Sequence, residues 1–377
     1  MSTGSPDTVS LFAGMGGLDL AAHLAGLHVG VSMDRDCEAL GTLHSALGTE
    51  TVATDSASCN GRQLLARLPE GSDVRYVIGG PPCTAFSHAG FWIEEKRAGA
   101  DPAASCLDDF GRIVREIRPA AFCLENVPGL TFKTHRERLR SLVARMRRAG
   151  YSVSWDILHA ADYGVAQARR RLFVVGIRGG PRFSFPWPKP VERTSDWSIG
   201  DLGQRSALSE EDEVPGGVWA DLLPLVPAGG NYLHFTERNG WKPPIFRWRS
   251  RYWSFLLKLS PARPSPTVSA QRVTFNGPFH WENRHLRARE LARLQGFPDW
   301  FPLSPELTAA RRQIGNAVPP PLGAAVLWEI RRHLGEVNGD LPEVLQAAAD
   351  PARTVHDVMG AMSRPEGAAS DGQRISA

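Results

Sequence analysis

Cys83 has the setting that most favours chemistry. It closes the run Gly79-Gly80-Pro81-Pro82-Cys83, in which two prolines fix φ and forbid an immediate helix, so a thiol arrives on a rigid turn. A thiolate held there is a nucleophile; the competing reading is a small, inert apolar residue packed into the turn. Glu125 heads the run Glu125-Asn126-Val127-Pro128-Gly129. Partial burial of a carboxyl at such a position raises its pKa and keeps a proton available near neutral pH. In Gln167-Ala168-Arg169-Arg170-Arg171, alternation sends Arg169 and Arg171 to one side of an extended backbone. Two guanidiniums so placed can hold a carboxylate, a phosphate or a base carbonyl.

These groups need a common edge, and the intervening sequence supplies strands that end there. Residues 74–78, 120–124 and 172–177 are β-branched and aromatic and read as buried strands. Residues 8–26 read as strand, glycine turn and helix, with Gly14, Gly16 and Gly17 in the turn and Gly26 as the stop. Three glycines let the backbone approach a ligand with a helix N-terminus behind it, or simply make a tight connection. A dinucleotide fingerprint fails because Asp19 stands where its last glycine belongs. The strand at residues 29–33 runs into Asp34, placed to accept from ribose hydroxyls. Asp55 follows residues 51–54 and either accepts from an adenine amino group or, with Ser56, caps a helix. The fold class predicted is α/β: a doubly wound, mostly parallel, Rossmann-like sheet whose ligands sit at the carboxyl edge.

At 377 residues the chain buries a substantial core and has room for two domains. Its five cysteines show no paired spacing, which excludes a disulfide framework and a Cys-x-x-Cys metal site and points to a reducing compartment. Neither a leader segment nor a membrane-spanning run is visible, so a soluble, cytoplasmic protein is expected, with no metal. A net charge of +3 permits a nucleic-acid partner without requiring one. Residues 137–150 form a helix whose arginines are a solvated outer face. Residues 91–109 suit a mobile loop.

Composition changes after Gly179. Between residues 181 and 266 lie 12 of the 29 prolines and 6 of the 11 tryptophans, so a smaller, irregular domain begins there. Its densest stretch, Arg247-Trp248-Arg249-Ser250-Arg251-Tyr252-Trp253, alternates cations with aromatics as nucleic-acid surfaces do; a packed aromatic core with exposed arginines gives the same pattern. The expected division is residues 1–180 for catalysis and cofactor binding and 181–262 for recognition. Residues 263–335 form a return segment completing both, and 336–377 a largely disordered tail.

In chain order, Phe12-Ala13-Gly14-Met15-Gly16-Gly17, Gly80-Pro81-Pro82-Cys83, Glu125-Asn126-Val127 and Gln167-x-Arg169-x-Arg171 are followed by Arg289-Glu290-x-x-Arg293-Leu294-Gln295-Gly296-Phe297-Pro298 and Gly315-Asn316-Ala317-Val318-Pro319-Pro320. This ordered set resembles the DNA cytosine-5 methyltransferase family. The resemblance implies that Cys83 attacks C6 of cytosine, Glu125 hydrogen-bonds or protonates N3, and Arg171 with Arg169 steadies the base. Such chemistry requires a nucleophile of this kind, because cytosine C5 is a poor one until a thiolate adds at C6.

The resemblance also implies S-adenosylmethionine as cofactor, lying over Phe12, Gly14, Gly16 and Gly17. Asp34 would take the ribose, Asp55 and Ser56 the adenine, and Asn316, Ala317 and Val318 the methionine side, with Pro82 alongside. A cytosine in duplex DNA must be flipped out, and residues 86–109 would close behind it with Ser87 near a phosphate. Arg247, Arg249 and Arg251 are the candidate DNA-reading residues. The last helix, residues 322–334, would pack beside the first strand. A monomer of restriction-modification type is implied, with double-stranded DNA as substrate and a restriction endonuclease of the same site as partner. Thr84 departs from the glutamine of several relatives, and Cys106 and Asp108 stand where larger apolar residues are usual.

Three rivals compete. An RNA methyltransferase branch of the family carries a Cys-Phe-Thr signature in its small domain, and residues 181–262 contain no cysteine. A DNA-binding paralogue without activity would have lost Cys83 or Glu125. A nicotinamide-dependent oxidoreductase is disfavoured by Asp19.

Overall fold

The structure, a computed structural model, describes residues 5–82, 105–188, 192–203, 215–271 and 273–339. Its strands are β1 (Thr8–Leu11), β2 (Val29–Asp34), β3 (Glu50–Ala53), β4 (Tyr76–Gly79), β5 (Ala121–Asn126), β6 (Tyr151–His159), β7 (Gln167–Ala168), β8 (Arg170–Arg178) and β9 (Ser265–Pro266). Seven of them form one sheet in the order β3-β2-β1-β4-β5-β8-β6, while β7 pairs with β9 apart from it. β1 to β5 are parallel, and β8 enters antiparallel between β5 and β6. Strand order therefore reverses between β1 and β4, which opens a crevice at their carboxyl ends.

Helices cover both faces: α1 (Gly17–Leu24), α2 (Cys37–Leu47), α3 (Gly61–Leu65), α4 (Cys106–Ile117), α5 (Arg136–Arg148), α6 (Ser195–Gly203), α7 (Ala288–Leu294), α8 (Leu307–Asn316) and α9 (Pro320–His333). Alternation along the strands feeds two cores. Val77, Phe122, Leu124 and Val174 pack with Phe110 of α4 and Leu142 of α5. Ile78, Cys123, Phe173 and Val175 face the opposite way, toward Leu20 of α1 and Leu322 of α9. Each large side chain so buried contributes roughly 1.5–3 kcal/mol, which is why these strands tolerate few polar residues. Local signals set the helix limits. Asp36 accepts from Ala39 N at the start of α2, which ends at Gly48 with φ 68°. Asn60 and Gln63 form a capping box on α3.

Several sequence expectations are corrected. Residues 106–109 belong to α4, where Asp109 accepts from Ser56 Oγ at 2.9 Å, so any loop ends before them; residues 83–104 lie outside the described residues. Strand β6 and helix α8 were not anticipated. The last helix begins at Pro320 and packs on α1 rather than beside β1: a Cβ on Gly323 would stand 2.7 Å from that of Ala21.

The composition break after Gly179 is not a packing break. Phe183, Phe185, Trp197 and Ile199 join the main core. A separate small core gathers Leu223, Tyr232, Phe235, Phe246 and Leu256 with Phe275 and Phe279, so chain on both sides of residue 262 builds it. No helix among the described residues is long and apolar enough to cross a membrane.

Candidate active site

The crevice at the strand reversal is a cavity of about 570 Å³. One wall is the turn after β1, where Phe12, Gly14 and Gly17 face the space. Phe12 and Gly14 both have φ 54° and Gly16 has φ 92°, a left-handed stretch that costs a phenylalanine energy and that glycine adopts freely. Gly16 itself caps α1 and is not part of the wall. The end of β4 is pressed against β1: a Cβ on Gly79 would come within 2.4 Å of the Leu11 carbonyl. Glycine therefore lets the Gly80-Pro81-Pro82 turn enter the cavity beside the glycine turn. Cys83 is the next residue in sequence; it and Ser87 lie outside the described residues.

Glu125, second to last in β5, is 7% exposed and lines the cavity. Arg171 Nε donates to its Oε1 at 2.8 Å. Burial pushes the Glu125 carboxyl above the ordinary glutamate range, and the charges of Arg171 and then Arg169 offset this only in part. The neighbouring residue was missed by sequence reasoning: Asn126 Nδ2 donates to the Pro81 carbonyl at 3.1 Å, tying the tip of β5 to the turn before Cys83.

Arg169 and Arg171 part ways. Both line the cavity, where Arg171 pairs with Glu125. Arg169 is 1% exposed, and its guanidinium donates to the carbonyls of Val268, Gly315 and Ala317 at 3.2, 2.7 and 3.2 Å. Its main work is to clamp the chain after α8. Gln167 and Gln295 extend that clamp: Gln167 Nε2 donates to Gln295 Oε1 at 2.7 Å, and Gln295 Nε2 to the Ala317 carbonyl at 2.6 Å. The Arg289-to-Pro298 motif is likewise structural. Arg293 pairs with Asp299 and Asp201, and buried Glu290 receives both terminal nitrogens of Arg284.

The clamped segment places Asn316, Ala317 and Val318 in the cavity wall opposite Phe12. Gly17 permits this, since a Cβ there would meet the Val318 carbonyl at 2.5 Å. Asp34 lines the cavity, but both its oxygens already accept backbone N–H groups: Gly14 at 2.8 Å and Asp36 at 2.9 Å. Asp34 thus fixes the glycine turn and keeps its remaining lone pairs for a ligand. Asp55 caps the turn Ser56–Ser58 through Ala57 N and also lines the cavity. Beneath the floor, Asp19 is fully buried and accepts from Ser10 and Ser32 at 2.9 and 2.5 Å; burial pushes its carboxyl up to about 6.

The basic stretch of the small domain lies elsewhere. Arg249, Ser250, Arg251 and Tyr252 face Val273, Thr274 and Asn276 across a notch of about 650 Å³. Arg251 lies 5.5 Å from the Phe255 ring centroid, so it also covers the aromatic core. Arg247 is exposed and does not line the notch.

Residues 7–332 match the family model for the C-5 cytosine-specific DNA methylase. The chain belongs to that family. Among C-5 methylase relatives, the Type II methyltransferase M.SacI of Streptomyces achromogenes is 43% identical over 88% of this chain and 94% of its own length. M.XorII of Xanthomonas oryzae, another Type II methyltransferase, is 30% identical over 87% of this chain and 85% of its own. A solved structure of Dnmt2 from S. pombe shares the C-5 methylase fold of this chain with TM-score 0.54 at 17% identity, covering 89% of this chain and 99% of that one.

Proposed function

We propose that this DNA cytosine-5 methyltransferase acts through Cys83, Glu125 and Arg171, and that it is the modification enzyme of a Type II restriction-modification pair. The observation that carries the catalytic assignment is the Arg171–Glu125 pair at the cavity mouth, with the Pro81-Pro82 turn leading into Cys83 beside it. The Cys83 thiolate adds to C6 of the cytosine while Glu125, whose hold on a proton burial strengthens, donates to N3. The ring's π electrons are thereby directed to C5, which becomes nucleophilic. When bound, S-adenosylmethionine supplies an electrophilic methyl group. Loss of the C5 proton to a base, return of the N3 proton to Glu125 and expulsion of the Cys83 thiolate then restore the ring. Arg171 holds the Glu125 carboxyl in place through this cycle.

The cavity residues fit that cofactor. Asp34 and Asp55 offer acceptors for the polar groups of a nucleoside, and Phe12 and Pro82 offer apolar surface. Gly14, Gly17, Ser56, Asn316, Ala317 and Val318 complete the wall, with Gly16 shaping the turn. Double-stranded DNA is the substrate, and its target base must leave the stack to reach Cys83, at a cost of a few kcal/mol. We assign sequence reading to the small domain, where Arg249 and Arg251 stand at the notch and Arg247 beside it, with Ser87 on a phosphate.

Base-resolution mapping of 5-methylcytosine in DNA from a methylation-free host expressing the wild-type chain, beside a Cys83→Ser control, tests this reading. Methylation at one short sequence context in the wild type alone is the expected result. Unmodified DNA from folded protein would overturn it.

A further inference from the structure

Gln313 stands one helical turn before Asn316 on α8 and lines the same cavity, yet only 4% of it is exposed. Its Oε1 accepts from Thr42 Oγ1 of α2 at 3.1 Å, which anchors one side of the amide. Its Nε2, by contrast, has no hydrogen-bond partner among the described residues. A buried donor left unsatisfied is a standing cost to the fold, and a ligand that supplies an acceptor removes that cost.

The neighbourhood indicates which acceptor. Helix α1 begins at Gly16 with no side-chain cap, so the N–H groups of its first turn and the positive end of its dipole are open at Gly17 and Leu18, both in the cavity wall. Close approach of Gly17 to Val318 brings that helix end up to the chain leaving α8. An uncapped helix start and an unpaired amide donor on one cavity together suit an anion. Among the residues lining the space, Asp34, Asp36, Asp55 and Glu125 bring negative charge and Arg169, Arg171 and Arg312 positive; Arg312, next to Gln313 in sequence, already pairs with Asp36. S-adenosylmethionine carries one anionic group, the α-carboxylate of its methionine end.

We propose that Gln313 is a cofactor-positioning residue whose Nε2 donates to that carboxylate. The inference rests on the cavity holding S-adenosylmethionine, as argued above.

Calorimetric binding of S-adenosylhomocysteine and of 5′-methylthioadenosine, which lacks the amino-acid end, tests it in the wild type, Gln313→Leu and Gln313→Met. Loss of a hydrogen bond to a charged group is expected to weaken S-adenosylhomocysteine about 10- to 100-fold in both variants. Methylthioadenosine affinity should stay as in the wild type. Equal loss for both ligands, or none for either, overturns the assignment. Gln313→Glu, which keeps the oxygen on Thr42 and removes the donor, is expected to weaken S-adenosylhomocysteine further; tighter binding would overturn the proposal by showing that the ammonium group faces this residue. A wild type that binds neither ligand refutes the cofactor reading itself, an outcome distinct from failure of the Gln313 variants alone.

Discussion

Asn126 Nδ2 donates to the carbonyl of Pro81 at 3.1 Å, so the strand that carries Glu125, the proposed acid, also holds the turn before Cys83, the proposed nucleophile. One side-chain bond thereby ties the tip of β5 to the turn after β4. Asn126→Ala is expected to lower kcat by about 10- to 100-fold through loosened alignment. Affinity for S-adenosylhomocysteine should barely change. Parallel calorimetry and single-turnover methylation would show the split, and an unaltered rate would dismiss the connection as incidental.

Glu125 must carry a proton to serve N3, and burial holds its titration above that of an ordinary glutamate. The protonated fraction falls as pH rises through that raised value, so the rate should decline on the alkaline side. Arg171 and Arg169 both pull the pKa down. Arg171→Ala removes the nearer charge, and the alkaline limb should then move to higher pH even as the maximum rate drops. Glu125→Gln should cost about 10²- to 10⁴-fold in rate and abolish the limb. A pH–rate profile of the three proteins checks this, and an Arg171→Ala limb shifted downward contradicts it.

Arg169 calls for a different outcome. Its substitution by Met leaves the carbonyls of Val268 and Gly315 without this donor, a penalty of roughly 1–3 kcal/mol for each buried group left unpaired. Arg169→Met should therefore lower the urea midpoint clearly, whereas Arg171→Ala should lower activity with little effect on the midpoint. Equal midpoints for the two variants would place both arginines in catalysis.

Asp19 titrates near 6 in the fold against 3.8 when exposed. A carboxyl with a raised folded-state pKa binds its proton more tightly in the folded chain, so stability falls as pH rises from about 4 to about 6 and stays lower above that. The difference corresponds to about 3 kcal/mol. Asp19→Asn, which can still bond Ser10 and Ser32, should remove that loss and raise the urea midpoint at pH 8 relative to the wild type. No gain at pH 8 would show that Asp19 is stabilised as the anion.

The small domain makes a prediction about engineering. Exchanging residues 215–280 with a relative of different specificity should move sequence choice while keeping the protein folded, provided Leu259, Val268 and β9, which pack with the main domain, are kept, because that stretch contains the whole small core. Exchanging residues 181–262 cuts through two cores, separating Phe275 and Phe279 from Phe246 and replacing Phe183 and Ile199 in the main one. Its melting temperature should be lower. Methylation mapping and thermal scans of the two chimaeras decide between the cuts.

What the sequence discloses follows the range of the interactions. Glu125 and Arg171 were legible because a strand's alternation and its end are local properties. Helix α8 was not, because its ten residues are held by distant chain: a Cβ on Gly315 would meet Ala270 N at 2.3 Å, and Gln313 reaches Thr42. Strand β6 carries serine, aspartate and an exposed tryptophan among its apolar residues, so no clean alternation marks it, and its pairing to β8 and its bonds to distant carbonyls secure it. The bond from Asn126 ends on a backbone carbonyl, which leaves no mark in side-chain patterning. For Arg169, the place in the cavity wall was legible and its bonds to distant backbone carbonyls were not.

Packing of Gly17 against Val318 joins parts of the chain some three hundred residues apart, and so the cavity wall can be completed only late in synthesis. While α9 is still inside the ribosome, α1 has no partner for its outer face and the cavity lacks Asn316 to Val318. A nascent enzyme can therefore display its cysteine turn long before it can use it. Modification begins only when translation of this segment ends, a built-in delay between making the protein and marking the genome.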